Sequence, residues 1–172
     1  MRFYAAQNTS SGTLNPSDRK PPLPTFTLRP LTPVHAEYFY ALCEATMRGH
    51  VEATWGHWDE AKVRRELTRL VGDRKVSGIH VGSTRVGALV CDRDCKPIVV
   101  EQLYLAPEHQ RCGIGSAVMG DLLARASSIG SDVTLDVLRV NPARAFYAQI
   151  GFEVTHESAY RYAMRWRPVN PS

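Results

Sequence analysis

A single α/β domain is predicted over residues 25–168, and three observations carry that prediction. Strand and helix periodicities follow one another in the order β, α, α, β, β, β, α, β, α, β. The central strand, Pro97–Leu105, runs through a polar loop into a glycine-opened helix, Gly115–Ala126. The 172-residue chain, 44% hydrophobic and 22% charged, has the length and composition of one globular domain with a real core.

Taken in order, residues 1–24 mix Ser, Thr, Asn, Pro and Lys without periodicity and read as a mobile leader, and 169–172 as a short tail. Phe26-Thr27-Leu28-Arg29-Pro30 alternates as a first strand. Thr32 is placed to cap a helix with Pro33 at its first position and Val34, Tyr38, Leu42 and Ala45 as its buried stripe. Arg48–Trp58 breaks that stripe and is read as a loop. Asp59 caps a second helix that buries Val63, Leu67, Leu70 and Val71 and stops at Gly72. Two short strands, Gly78–Val81 and Arg85–Cys91, flank a Gly-Ser-Thr turn. The glycine-opened helix repeats Ile114, Val118, Leu122 and Ala126 at every fourth position, with Gly130 past its end. Val133–Leu138 is a further strand. Asn141-Pro142 leads into a short helix ending at Gly151-Phe152, and a last strand pair runs through Trp166.

Composition narrows the function. No apolar run approaches the roughly 18–20 residues of a membrane span, and the N-terminal residues lack a secretory apolar core, so a cytoplasmic location is expected. The net charge is +4 and the pI about 9.0, yet no Lys/Arg block exceeds two residues. That argues against a nucleic-acid surface and suits an anionic small ligand. The four cysteines (Cys43, Cys91, Cys95, Cys112) suit neither a disulfide scaffold nor a metal site, and no metal is expected. A homodimer is compatible with the sequence.

The strongest chemical signal lies between strand and helix. Gly113 and Gly115 open the first turn, where unpaired N–H groups and a partial positive charge make a cradle for phosphate. A P-loop would need Gly-Lys-Ser/Thr, but Ser116 follows Gly115 directly. A dinucleotide fingerprint would need glycine or alanine where Val118 stands. Gln110-Arg111-Cys112-Gly113-Ile114-Gly115 instead matches Q/R-x-x-G-x-G/A, the pyrophosphate signature of the GNAT superfamily of N-acetyltransferases. Residues 141–152, NPARAFYAQIGF, are similar to a second signature of that family, with its asparagine, tyrosine and closing Gly-Phe. The chain resembles the family over about residues 25–168.

The resemblance implies a three-layer fold: a mixed, mostly antiparallel sheet splayed at its fourth and fifth strands and flanked by helices. It implies acetyl-CoA as cosubstrate and direct attack of a primary amine, small or protein-borne, on the thioester. The backbone of Leu103, Tyr104 and Leu105 would then meet the pantetheine arm, with Gln110, Arg111, Cys112, Gly113, Ile114, Gly115 and Ser116 around the pyrophosphate. Asn141 would reach the pantetheine, although it stands six residues before Tyr147 where many members have seven. Tyr147 would protonate the departing thiolate. Glu101, the only acid in its apolar strand, is the expected base, since burial would raise its pKa; a carboxylate bridging the splay is the alternative. In this fold the loop between the first two helices sets the acceptor, which directs attention to Glu52 and Trp55, with plain packing as the alternative for the tryptophan. A non-catalytic CoA-sensing module stays open beside the enzyme.

Overall fold

The computed structural model describes residues 23–73 and 75–168, so the expected tail and all of the expected leader but Leu23 and Pro24 lie outside the described residues. Seven strands form one sheet: β1 (Thr27–Pro30), β2 (Val76–Val81), β3 (Thr84–Asp92), β4 (Ile98–Leu105), β5 (Val133–Leu138), β6 (Glu153–Glu157) and β7 (Arg161–Trp166). Their spatial order is β1-β2-β3-β4-β5-β7-β6, with β4 and β5 parallel and every other neighbouring pair antiparallel. Four helices cover it: α1 (Ala36–Trp55), α2 (Glu60–Gly72), α3 (Ile114–Ser128) and α4 (Ala143–Gln149).

Each face of the sheet buries its own core. Phe39, Leu42 and Cys43 of α1 and Leu67, Leu70 and Val71 of α2 pack with Val76, Ala88, Val90 and Tyr104. On the other side, Val118, Met119, Leu122 and Ala126 of α3, with Tyr147 of α4, pack with Ile98, Val100, Leu135 and Met164. The three layers expected from the sequence are present.

The feature that positions the site is a bulge in β4. Gln102 pairs with Val90 and Val100 with the next residue, Cys91, which leaves Glu101 as the extra residue. A bulge bends its strand and sharpens its twist. Pairing between β4 and β5 runs over Ile98–Val133, Val99–Thr134 and Val100–Leu135 and stops there. Beyond Glu101 the two strands diverge, and Leu103, Tyr104 and Leu105 keep β3 as neighbour while the β5 side stays open.

The first helix differs most from expectation. Pro33–His35 is a single 3-10 turn, and α1 begins only at Ala36. This later start moves the stripe to Phe39, Tyr40, Leu42 and Cys43, while Val34 is left 84% exposed. The helix also continues through Arg48–Trp55, which the sequence reading makes a loop. Arg48 pairs with Glu44 at 3.0 Å and Glu52 at 2.9 Å, one turn back and one turn on. Neighbouring structure thus outweighs Gly49, whose helical cost is about 1 kcal/mol. Gly56 ends the helix at φ 82°, its N–H returning to the Glu52 carbonyl.

Helix α2 begins where the sequence places it, with the Asp59 carboxylate accepting from the Lys62 backbone N–H at 2.9 Å. Asp59→Ala should therefore lower stability by about 1 kcal/mol, read as a lower urea midpoint at unchanged slope; an unmoved midpoint would show that water replaces the cap.

Candidate active site

The divergence of β4 and β5 opens a cleft of about 200 Å³ whose walls include Glu101, Leu103 and Tyr104 of β4, Leu135–Leu138 on the β5 side, and Tyr147 of α4. The edge of Leu103–Leu105 that faces away from β3 offers an extended ligand the hydrogen bonds of an added strand, except at the Leu105 carbonyl, which is already taken. At one end lies the cradle. Arg111 (φ 60°) and Gly113 (φ 79°) take left-handed conformations that turn the loop into α3. The loop is tied back by the Gln110 side-chain amide, which donates to the Leu105 carbonyl at 2.9 Å. No side chain among the described residues caps α3, so its first-turn N–H groups are free for an anion, and Leu105 and Phe146 lie beside that turn at Gly115. A pyrophosphate joined to an extended amide-bearing arm fits this donor set.

Tyr147 lines the cleft at 8% exposure. Its ring packs edge-on against Phe152 at 5.7 Å and tilted on Phe146 at 5.2 Å. Its hydroxyl has no hydrogen-bond partner among the described residues, and burial pushes its pKa up to about 12. A neutral O–H donor is therefore held at the cleft across the physiological pH range. Asn141 also lines the cleft, but its side-chain oxygen accepts from the Ala143 N–H at 2.9 Å, starting α4, and its Nδ2 lies 3.9 Å from Met47 Sδ.

Glu101 faces the cleft, yet it is exposed, with Lys75 Nζ 4.0 Å away. The expected burial of this carboxylate is not found: a bulged residue stands outside the regular ladder and keeps its contact with water. The burial on which its expected role as base rested is thereby absent. Arg111 and Cys112 are exposed in the loop, the thiol donating to the Gln110 carbonyl.

A second cavity of about 580 Å³ lies between α1, α2 and the sheet, and shares Met47, Val51, Trp55, Gln102, Tyr104 and Arg161 with the cleft. Cys43, Met47, Val51 and Trp55 supply one wall at every fourth position of α1, faced by Trp58, Val63 and Leu67. Trp55 is 40% exposed and packs on Tyr160 at 6.0 Å, while Trp58 donates to the Tyr40 hydroxyl at 3.2 Å. Tyr104 is anchored by Cys43, whose thiol lies 3.6 Å from the phenol oxygen; burial raises the pKa of both groups.

Glu52 is not among the residues of either cavity. It lies on another face of α1, in its ion pair with Arg48. The expected loop is helical, and a helix turns residues one apart by about 100°, so Val51 faces the cavity and Glu52 does not. Glu52→Gln should accordingly leave the acceptor KM within about twofold, because an exposed pair of this kind contributes little; a large rise in KM would require Glu52 to swing into the cavity.

Residues 73–154 match the family of GNAT acetyltransferase domains. The chain thus resembles the GNAT superfamily, most directly over that segment. That match supports acetyl transfer as the general chemistry. Its fold is similar to the PaiA N-acetyltransferase of Thermoplasma acidophilum, solved in complex with coenzyme A (18% identity, 83% of this chain and 99% of that one, TM-score 0.63). It is also similar to Ard1 of Thermoplasma volcanium (20% identity, 84% and 99%, TM-score 0.61). A third similar structure is an acetyltransferase of Thermus thermophilus (22% identity, 84% and 97%, TM-score 0.66). No curated protein gives a significant match.

The sequence reading named the cradle, the cleft strand and Tyr147, and did not name the cavity-lining Met47, Val51, Gln102, Lys62 and Arg161. The first two had a signal in the four-residue spacing from Cys43 to Trp55. Arg161 had none, since only strand pairing brings it to the cavities.

Proposed function

We propose that this chain is an N-acetyltransferase that passes the acetyl group of acetyl-CoA directly to a primary amine. The observation that carries the proposal is the meeting of the two cavities: the cleft at the splay, with Tyr147 in its wall, opens along Gln102 and Arg161 into a separate aromatic pocket. A direct transfer needs two substrates to converge from different sides on one point, and a CoA-sensing module needs only the first.

Acetyl-CoA supplies the acetyl group activated as a thioester. Free N–H groups at the start of α3 hold the pyrophosphate, and the open side of Leu103–Leu105 aligns the pantetheine arm. An alkylamine of pKa about 10.4 is almost wholly protonated at neutral pH, which costs roughly 4 kcal/mol to reverse. Two features offset it. The apolar walls around Met47, Val51 and Trp55 disfavour the charged amine, and Glu101 at the cleft rim takes its proton through water. The amine nitrogen bonds to the carbonyl carbon, the carbon–sulfur bond breaks, and the acetyl group ends as an amide. Tyr147 donates its O–H to the departing sulfur.

The test is thiol release from acetyl-CoA across a panel of amino acids, simple amines, polyamines and amine-bearing peptides, with the acetylated product identified by mass spectrometry. Acceptor-dependent release with an amide product supports the proposal. Tight acetyl-CoA binding without turnover of any acceptor overturns it in favour of sensing.

A further inference from the structure

Charge in the acceptor pocket is unevenly committed. Its two acids are already engaged, since Asp59 caps α2 through the Lys62 N–H and Glu66 is paired with Arg69. Its two cations are not: neither Lys62 Nζ nor the Arg161 guanidinium makes a hydrogen bond or an ion pair among the described residues. Arg161 rests beside the Trp55 ring at 5.8 Å, and its pairing with Leu138 of β5 holds its backbone at the open end of the splay. Gln102 lines the same junction, its Oε1 enclosed without a hydrogen-bond partner. A pocket with apolar walls and two uncommitted cations repels a polyamine and favours an anion.

Resting on the acetyltransferase reading above, we infer that the acceptor is an α-amino acid with an apolar side chain, its carboxylate held by Arg161. Position selects this class. Arg161 lines both cavities, so an anion bound to it lies where the amine must meet the thioester. Only an amine with its anionic group close by, as on an α-carbon, satisfies both at once. The Gln102 carboxamide then has the amine N–H as its partner. The side chain enters the wider cavity between Trp58, Val63 and Leu67, and Lys62, which lines that cavity alone, adds a longer-range attraction. Guanidinium–carboxylate recognition, with two parallel hydrogen bonds, supplies geometric selectivity as well as charge.

Matched acceptors isolate the carboxylate: L-phenylalanine against 2-phenylethylamine and L-leucine against 3-methylbutylamine, with O-phosphoethanolamine reporting whether a phosphate serves instead. The wild type should prefer each amino acid in kcat/KM by at least tenfold, and Arg161→Gln should shrink that preference by about tenfold to a hundredfold, as expected for loss of a hydrogen bond to a charged group. Lys62→Gln, at the α2 wall of the cavity, should shrink it by a smaller factor, and Arg161→Lys should restore part of it. Thermal melts of the variants confirm folding. Equal use of each matched pair, preference for the phosphate, or an Arg161→Gln effect confined to the acetyl-CoA KM overturns this inference and leaves amine acetylation standing. Release of thiol with no acceptor of any class overturns both.

Discussion

Gly113→Val is expected to weaken acetyl-CoA binding by about a hundredfold, equivalent to about 2.7 kcal/mol. Gly113 sits at φ 79°, where a β-branched residue is strained by about 1–3 kcal/mol. The chain relieves that strain only by rebuilding the loop, which moves the first-turn N–H groups off a shared anion. Space is short as well, because a side chain there would meet Pro24 at 3.3 Å and Leu23 at 3.6 Å. Gly115→Val should act more weakly, by roughly tenfold, since its first carbon would find ordinary contacts with Leu105 and Phe146 and only the valine methyls would intrude. Calorimetric titration of folded variants with acetyl-CoA measures both. Unchanged affinity in Gly113→Val would remove the pyrophosphate from this turn.

Tyr147→Phe should lower kcat by about a hundredfold, the lower end of the range for acid catalysis, because a thiol of pKa about 8.5 already leaves fairly well. The ring keeps its contacts with Phe146 and Phe152, so acetyl-CoA affinity should hardly change. Burial also decides the pH behaviour. With its pKa pushed up to about 12, the hydroxyl stays protonated throughout pH 6–10 and loses its proton only beyond that window. An ordinary tyrosine near 10 would shape the alkaline limb of the rate profile; this one does not. The ratio of wild-type to variant kcat should therefore be constant over pH 6–10. A ratio that collapses toward one between pH 8 and 10 would show a hydroxyl titrating far below 12, and a ratio of one throughout would leave Tyr147 as packing.

Local signals were legible in the sequence and long-range juxtapositions were not. Val133–Leu138 and the capped start of α2 needed only periodicity, one carboxylate and one glycine, and the structure keeps them where they were read. The cradle was equally legible, since glycine and a helix start are neighbours in sequence. Helix α1 failed at both ends for one reason: Pro33 and the break of the stripe at Arg48 looked like local boundaries, while the actual boundary was decided by packing of Phe39 and Cys43 on the sheet and by the Arg48 pairs. The second cavity draws on α1, α2, β4 and β7, so its charge could not be read from the cluster around Glu52. Position 161 contributes through strand pairing with Leu138, a relation between residues 23 positions apart.

The extra residue in β4 also resets which side of the sheet its neighbours see. Before it, the even-numbered Ile98 and Val100 face the α3 core; after it, the odd-numbered Leu103 and Leu105 do, and the even-numbered Tyr104 points to α1 and α2. Strict alternation from Val100 would have sent Tyr104 into the opposite core. The strand therefore counts residues more strictly than it inspects them. Any side chain at position 101 preserves the phase, whereas deleting that position would exchange the two faces for every residue that follows and draw β4 back alongside β5. In descendants of this chain, the fold of β4 should tolerate a change of letter at 101, even where proton removal suffers, and refuse a change of length.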